Sequence, residues 1–468
     1  MPQSVAVVLA AGLGTRMKSN LPKVLHCVAG KPMIQHVINA LRFADVENII
    51  LVLGYQAERV ESALGAGFGF QIAYQKEQLG TGHAVLQALP LLQQYSSGDC
   101  LVVCGDTPLL SGQTLKKLRE KHMESQAKAT ILTALLADPR GYGRIIKSPR
   151  GVEKIVEEKD ATEEEKAVRE INTGAYCFCL ESLKEKLHLL TPANAQGEYY
   201  LTDVIKYLVE DGEKVDTLLL EDPIEAMGIN NRRQLAEAEA QMCRRILEKL
   251  MDQGVTVINP DYTYVEEEVV IGKDTILYPG VILEGRTRIG ENCQIGPHTR
   301  IIDSIIEDDV LINYSCLIQA KVAKSCTIGP YSYLRPGTVL AEGVKIGDFV
   351  EIKNSYIGPG SKVPHLSYVG DSTVGKGVNI GAGTITCNYD GVKKYPTIIG
   401  DGAFIGSNTN LVAPISVGEG AYIGAGSTVN KDIPAGALAV ARGKQRNIEN
   451  WKNRTEGAGK EEVREDKK

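Results

Sequence analysis

The sequence predicts an α/β protein of two domains. The first is built on a mainly parallel sheet, and a connector helix leads from it to a second, formed by a parallel β-helix of six-residue repeats. Three observations predict this. Over residues 1–230, short continuous apolar runs alternate with helix-patterned stretches. Residues 231–253 read as one long amphipathic helix. Through residues 254–450, aliphatic residues recur every six positions.

In the first domain, SVAVVLA (4–10), NIILVL (48–53) and DCLVVCGD (99–106) are apolar runs of strand length. Runs without polar alternation fit parallel strands buried on both faces. Between them, PMIQHVINALRFA and GHAVLQALPLLQQ carry helical spacing. Strand, helix and strand in turn imply a parallel sheet whose ligands gather beyond the carboxyl ends of its strands. In the connector, Leu235, Met242, Ile246 and Leu250 fall near one helix face, and Gly254 marks its end.

The repeat runs through Ile271, Leu277, Leu283, Ile289, Ile295 and Ile301. After a phase slip it continues through Val310, Cys316, Val322, Ile328, Leu334, Leu340, Ile346 and Ile352, and later through Ile399, Ile405, Leu411, Val417, Ile423 and Val429. Glycine often follows the aliphatic residue, as at Gly272, Gly347 and Gly406. A period of six suits a short strand plus a tight turn, three of which close one coil of a parallel β-helix. The longest interruption, ITCNYDGVKKYPTI (385–398), reads as a polar and aromatic loop leaving the coil. Residues 451–468, mostly charged or small and polar, read as a disordered tail.

At 468 residues the chain exceeds one ordinary core, and 43% hydrophobic with 24% charged residues is a soluble globular composition. A net charge of −6 argues against nucleic acid and anionic membrane surfaces as partners. No apolar stretch reaches the roughly 18 residues of a membrane span, and SVAVVLA is too short for a signal peptide. The ten cysteines form no CxxC pair, so Cys100, Cys104, Cys177 and Cys179 read as reduced thiols within strands. The expectation is a cytoplasmic protein.

LAAGLGTRMKSNLPK (9–23) has the form of a phosphate cradle. It is no dinucleotide fingerprint, because Met17 stands at the third glycine of GxGxxG and no acid follows about 20 residues on. Nor is it a Walker loop, since GK[ST] is missing. Small residues Ala10, Ala11 and Gly12 after a strand, followed by Arg16 and Lys23, suit a nucleoside triphosphate. Backbone N–H groups and a helix N-terminus would hold its phosphates. Asp106, at the tip of the third strand, is then the natural Mg²⁺ ligand.

LAAGLGTRM, LPK, QLGTGHA, GD, GYGRI, INTG and GINNR, in that order, resemble the sugar-nucleotidyltransferases, whose domain is Rossmann-like. The six-residue repeats resemble the left-handed β-helix of hexapeptide-repeat acyltransferases. Joined with HLSYVGD and GAGTITCNYDG, the chain is similar to the bacterial family of bifunctional N-acetylglucosamine-1-phosphate uridyltransferase/glucosamine-1-phosphate acetyltransferases over residues 4–450. The resemblance implies UTP contacts at Leu9, Ala11, Gly12, Lys23, Gln75, Gly80 and Thr81. It implies Mg²⁺ at Asp106 and Asn230, and sugar-phosphate contacts at Gly143, Glu157, Asn172 and Asn230. Leu13 departs from a common lysine and Cys104 from a common tyrosine.

For the β-helix, the resemblance makes His365 the base that deprotonates a sugar amine. Arg335, Lys353, Tyr368 and Asn379 would bind the sugar phosphate, with Glu351 in support. Ala382, Asn388, Tyr389, Ser407, Ala425 and Arg442 would contact acetyl-CoA. Pro364 stands beside the histidine where relatives often have glycine. The implied assembly is a homotrimer with active sites between subunits. Two other readings compete: a nucleotidyltransferase of single activity with a structural β-helix, and a non-catalytic regulatory subunit of the same two folds. His365, the NYDG loop and Arg442 disfavour the first; Arg16, Lys23 and Asp106 disfavour the second.

Overall fold

The computed structural model describes residues 4–65 and 69–452 and divides into two units, one of 1–249 with 265–267 and one of 250–264 with the remainder. All but the first two residues of the tail read over 451–468 lie outside the described residues. The first unit holds a mixed sheet in the order Val215–Leu219, Ala129–Leu135, Glu170–Cys179, Asp99–Cys104, Ser4–Ala10, Asn48–Leu53, Phe70–Tyr74. Glu170–Cys179 runs antiparallel to both neighbours, and the other pairings along that order are parallel. Alternate residues of Ser4–Ala10 enter different cores. Val5 and Val7 pack towards helices Thr81–Leu92, Leu180–Leu187 and Asp203–Glu210. Ala6 and Val8 pack towards Met33–Phe43, Ala57–Leu64 and Gly112–Ser125. With both faces covered, the strand is apolar at every position after Ser4, which is why it reads as an unbroken run.

The long helix spans Arg232–Asp252. Ala238 is buried with Val28, Met33, Leu109 and Ile229, and Leu235 and Met242 pack on the same cluster. Most of this helix is therefore a packed part of the first unit.

The second unit is a β-helix of three parallel faces, with 11, 10 and 9 short strands among the described residues. The inward positions are Leu283, Ile301, Leu317, Leu334, Ile352 and Val369 on one face, each of them essentially fully buried. This corrects the phase read across the slip. Leu317, not Cys316, stacks on Ile301, and Cys316 lies opposite Arg300. Likewise Ile312, not Val310, is the inward residue of its strand, although Val310 is also buried. The slip consists of five-residue steps at Ile306, Leu317 and Val322, a shortening that a six-residue template passes over.

The glycines after the aliphatic positions answer to close stacking rather than to a turn. A Cβ on Gly272 would lie 2.6 Å from the backbone of Gly290, and one on Gly406 2.5 Å from the Ala425 nitrogen. The positive φ values fall elsewhere at the corners, as at Asp274, Tyr331 and Phe349. The long interruption is also narrower than its sequence implies. Ile385–Cys387 and Thr397–Ile399 are coil strands, with Thr386 buried in an inward slot, so only residues 388–396 leave the coil.

Candidate functional sites

In the first unit the parallel strands place their carboxyl ends together, and a cavity opens there. Leu9, Ala11, Gly12, Lys23, Gln75, Gly80, Thr81, Cys104 and Asp106 line it. Gly105 N–H donates to the Leu9 carbonyl at 2.9 Å, which sets Asp106 beside the glycine loop. Ile229 N–H donates to the Asp106 carbonyl at 2.9 Å, bringing Asn230 from the far end of the domain to the same point. Gly12 has open space where a side chain would project, whereas Gly14, at φ 63°, packs on Lys23. The helix N-terminus expected beyond the loop is absent. Thr15–Met17 is a single 3₁₀ turn and the next α-helix starts at Met33. Any phosphate cradle here rests on the loop backbone and on cations.

Those cations pair with two side-chain oxygens, of Asp106 and Asn230. Lys23 Nζ pairs with Asp106 Oδ2 and donates to Asn230 Oδ1 at 3.2 Å; Arg16 Nη2 donates to the same Asn230 oxygen at 2.9 Å. Two side-chain oxygens thus converge on one positive centre, a donor set suited to a hard divalent cation. Among the described residues no group of three or more His, Cys, Asp or Glu forms a richer metal site. The Cys104 thiol is pushed up to about 12, chiefly by burial, so it is an inert wall. Leu13, next to Gly12, is half exposed and has no charge to offer.

The flanking positions are held just as tightly. Buried Gln75 donates through Nε2 to the Gly80 carbonyl at 3.0 Å. Thr81 Oγ1 accepts from Leu201 N–H at 3.1 Å. Gly143, Glu157 and Asn172 meet: Asn172 N–H donates to the Gly143 carbonyl at 2.9 Å, and a Cβ on Gly143 would stand 3.5 Å from Glu157 Oε2. Burial raises the Glu157 carboxyl above its ordinary value, offset in part by a hydrogen bond from Thr202, with Asp160, Asp203 and Glu198 adding to the rise.

In the β-helix, successive coils stack like residues into columns. His365 pairs with Asp348 in the parallel ladder, and its Nδ1 lies 2.5 Å from Asp348 Oδ1. Ala382, Ser407 and Ala425 continue along the same face, through Asn408 N–H to the Ala382 carbonyl at 2.7 Å and Gly426 N–H to the Ser407 carbonyl at 2.8 Å. Arg442 closes this column, donating through Nη1 to the Ala425 carbonyl at 2.8 Å.

The neighbouring face carries the cations. Arg335 follows strand Tyr333–Leu334, and Lys353 ends strand Glu351–Lys353 one coil on. Arg335 Nη1 donates to Glu351 Oε1 at 2.7 Å, and Tyr368 pairs with Glu351 in the ladder. Asn379 stands on the other face, opposite Lys362 and Phe404, so one chain does not bring it into the Arg335 group. In the excursion, Asn388 Nδ2 donates to Asp371 Oδ2 at 2.5 Å, and Tyr389 is exposed.

A nucleotidyl transferase family model matches residues 5–223, and a bacterial transferase hexapeptide model (six repeats) matches 268–303 and 396–431. A bifunctional protein GlmU of Carboxydothermus hydrogenoformans is 56% identical over 446 residues, 95% of this chain and 99% of the relative. That of Heliobacterium modesticaldum is 56% identical over 455 residues, 97% of this chain and 99% of the relative. The chain belongs to the GlmU family. A third GlmU, from a Geobacillus species, is 50% identical across 97% of this chain and 98% of its own length.

Two residues have no signal of their own in the sequence. Asp348 lies 17 positions before His365, one coil away, and only the coil length places them together. Lys394, in the excursion, faces Lys353. Hydrogen bonding and repulsion from that ammonium lower the Lys394 pKa. Two lysines brought close together concentrate positive charge at this point. The six-residue period, once corrected for its short steps, is the signal that finds the first; nothing in the loop sequence finds the second.

Proposed function

We propose that the chain makes UDP-N-acetylglucosamine in two reactions. The β-helix unit N-acetylates glucosamine 1-phosphate with acetyl-CoA, and the first unit transfers uridylyl from UTP to N-acetylglucosamine 1-phosphate, releasing pyrophosphate. The product supplies peptidoglycan and lipopolysaccharide synthesis. The observation that carries this reading is the presence of two built sites in one chain: Asp106, Asn230, Arg16 and Lys23 together in the first unit, and His365 on its carboxylate in the second.

For uridyl transfer, Leu9, Ala11 and Gly12 present backbone to UTP, and Gln75, Gly80 and Thr81 face the base. Gly143, Glu157 and Asn172 hold the sugar phosphate. Its oxygen attacks the α-phosphorus, a P–O bond forms and the bond to pyrophosphate breaks. Asp106 and Asn230 would hold Mg²⁺, which supplies neutralisation of the triphosphate charge. Lys23 brings its charge to both of these oxygens and Arg16 to that of Asn230, and Lys23 is placed to turn to the phosphates.

For acetyl transfer, Arg335, Lys353 and Lys394 attract the phosphate of the sugar, with Tyr368 and Asn379 completing the contacts. His365 takes a proton from the amine as its nitrogen attacks the thioester carbonyl. The C–N bond forms, the C–S bond breaks, and the proton passes to the departing sulfur. Ala382, Asn388, Tyr389, Ser407, Ala425 and Arg442 would line the acetyl-CoA path. A homotrimer with sites shared between copies is part of this reading, supported by Asn379 standing on a different face from Arg335 and Lys353. A cytoplasmic location goes with these substrates; among the described residues no helix is long and apolar enough to cross a membrane.

The test is to supply the purified chain with each substrate pair. Pyrophosphate release from UTP and N-acetylglucosamine 1-phosphate with Mg²⁺, and thiol release from acetyl-CoA and glucosamine 1-phosphate, are both expected. Absence of the second with the first intact would favour a nucleotidyltransferase with a structural β-helix.

A further inference from the structure

The geometry assigns Asp348 as the positioning residue that holds the His365 imidazole for acetyl transfer, an inference that rests on the acetyltransferase reading above. Asp348 ends strand Lys345–Asp348 and is the ladder partner of His365 at the end of Lys362–His365. Its Oδ1 meets Nδ1 of the ring at 2.5 Å. The coils cannot slide to break this pairing. Leu366 N–H donates to the Asp348 carbonyl at 2.9 Å, and Gly347 lies so close to Pro364 that a Cβ there would fall 1.8 Å from the Pro364 oxygen.

A carboxylate on Nδ1 selects the tautomer with hydrogen on that nitrogen and leaves the Nε2 lone pair as the base. Nε2 has no hydrogen-bond partner among the described residues, and the side chain is 55% exposed, so the ring presents this nitrogen outward. The hydrogen bond from His365 keeps the Asp348 carboxyl below its ordinary value, so it accepts as an anion at neutral pH. Glu351, three residues on from Asp348, is taken by Arg335.

Full-length Asp348→Ala and Asp348→Asn test this beside His365→Ala. Asp348→Ala is expected to lower the acetyl-transfer kcat about 10- to 100-fold, part of the ~10²–10⁴-fold that a general base supplies. Both KM values should stay within about twofold. Asp348→Asn, whose amide oxygen still accepts from Nδ1, should restore most of kcat. Uridyl transfer and thermal melting serve as controls on folding. A wild-type kcat in Asp348→Ala, a loss confined to KM, or an Asn variant no better than Ala would overturn the inference. If His365→Ala itself kept acetyl transfer, the acetyltransferase reading would fall instead.

Discussion

Glu157 shows how a buried carboxylate can work against the fold that holds it. Burial raises its carboxyl above the unfolded value, so the folded state binds this proton more tightly than the unfolded chain does. The stability it contributes is present at low pH and is lost as pH rises through the raised folded value. Glu157→Gln is therefore expected to melt higher than the wild type at pH 8, with the advantage shrinking as pH falls into the carboxylate range. A melting temperature equal to wild type at both ends would refute this. At the same scale, Asp106 and Lys23 were legible because a glycine loop and a strand tip carry local patterns. Asp348 was not, because its significance depends on a coil of 17 residues rather than 18. Lys394 lay in an excursion with no period to read.

At the scale of elements, the strands of the first unit were visible because burial on both faces leaves them uniformly apolar. The antiparallel pairings, those of Glu170–Cys179 among them, were not, since strand direction leaves no mark in a short run. The helix over Arg232–Asp252 was legible as a helix, but its packing against Val28 and Met33 was not, because its partners are distant in sequence. The corrected phase of the β-helix makes a direct prediction. Leu317→Ala, which empties an inward slot, should cost about 2–5 kcal/mol in equilibrium denaturation. Cys316→Ala, beside it and facing outward, should cost less than about 1 kcal/mol. The reverse order would restore the uncorrected phase.

The whole molecule combines two units whose sites use different parts of the fold. In the first, strand ends converge on an oxygen pair and two cations; in the second, stacked coils repeat one position until a column of functional groups forms. Membership of the GlmU family accords with both, and with the order of the motifs along the chain. The central claim is that two independent active sites share the chain. The most direct measurement assays both half-reactions on full-length Asp106→Ala and His365→Ala. Asp106→Ala should lose Mg²⁺-dependent pyrophosphate release and keep acetyl transfer, while His365→Ala should lose about 10²–10⁴-fold of acetyl transfer and keep uridyl transfer. Loss of both activities in either variant, with melting unchanged, would contradict the account.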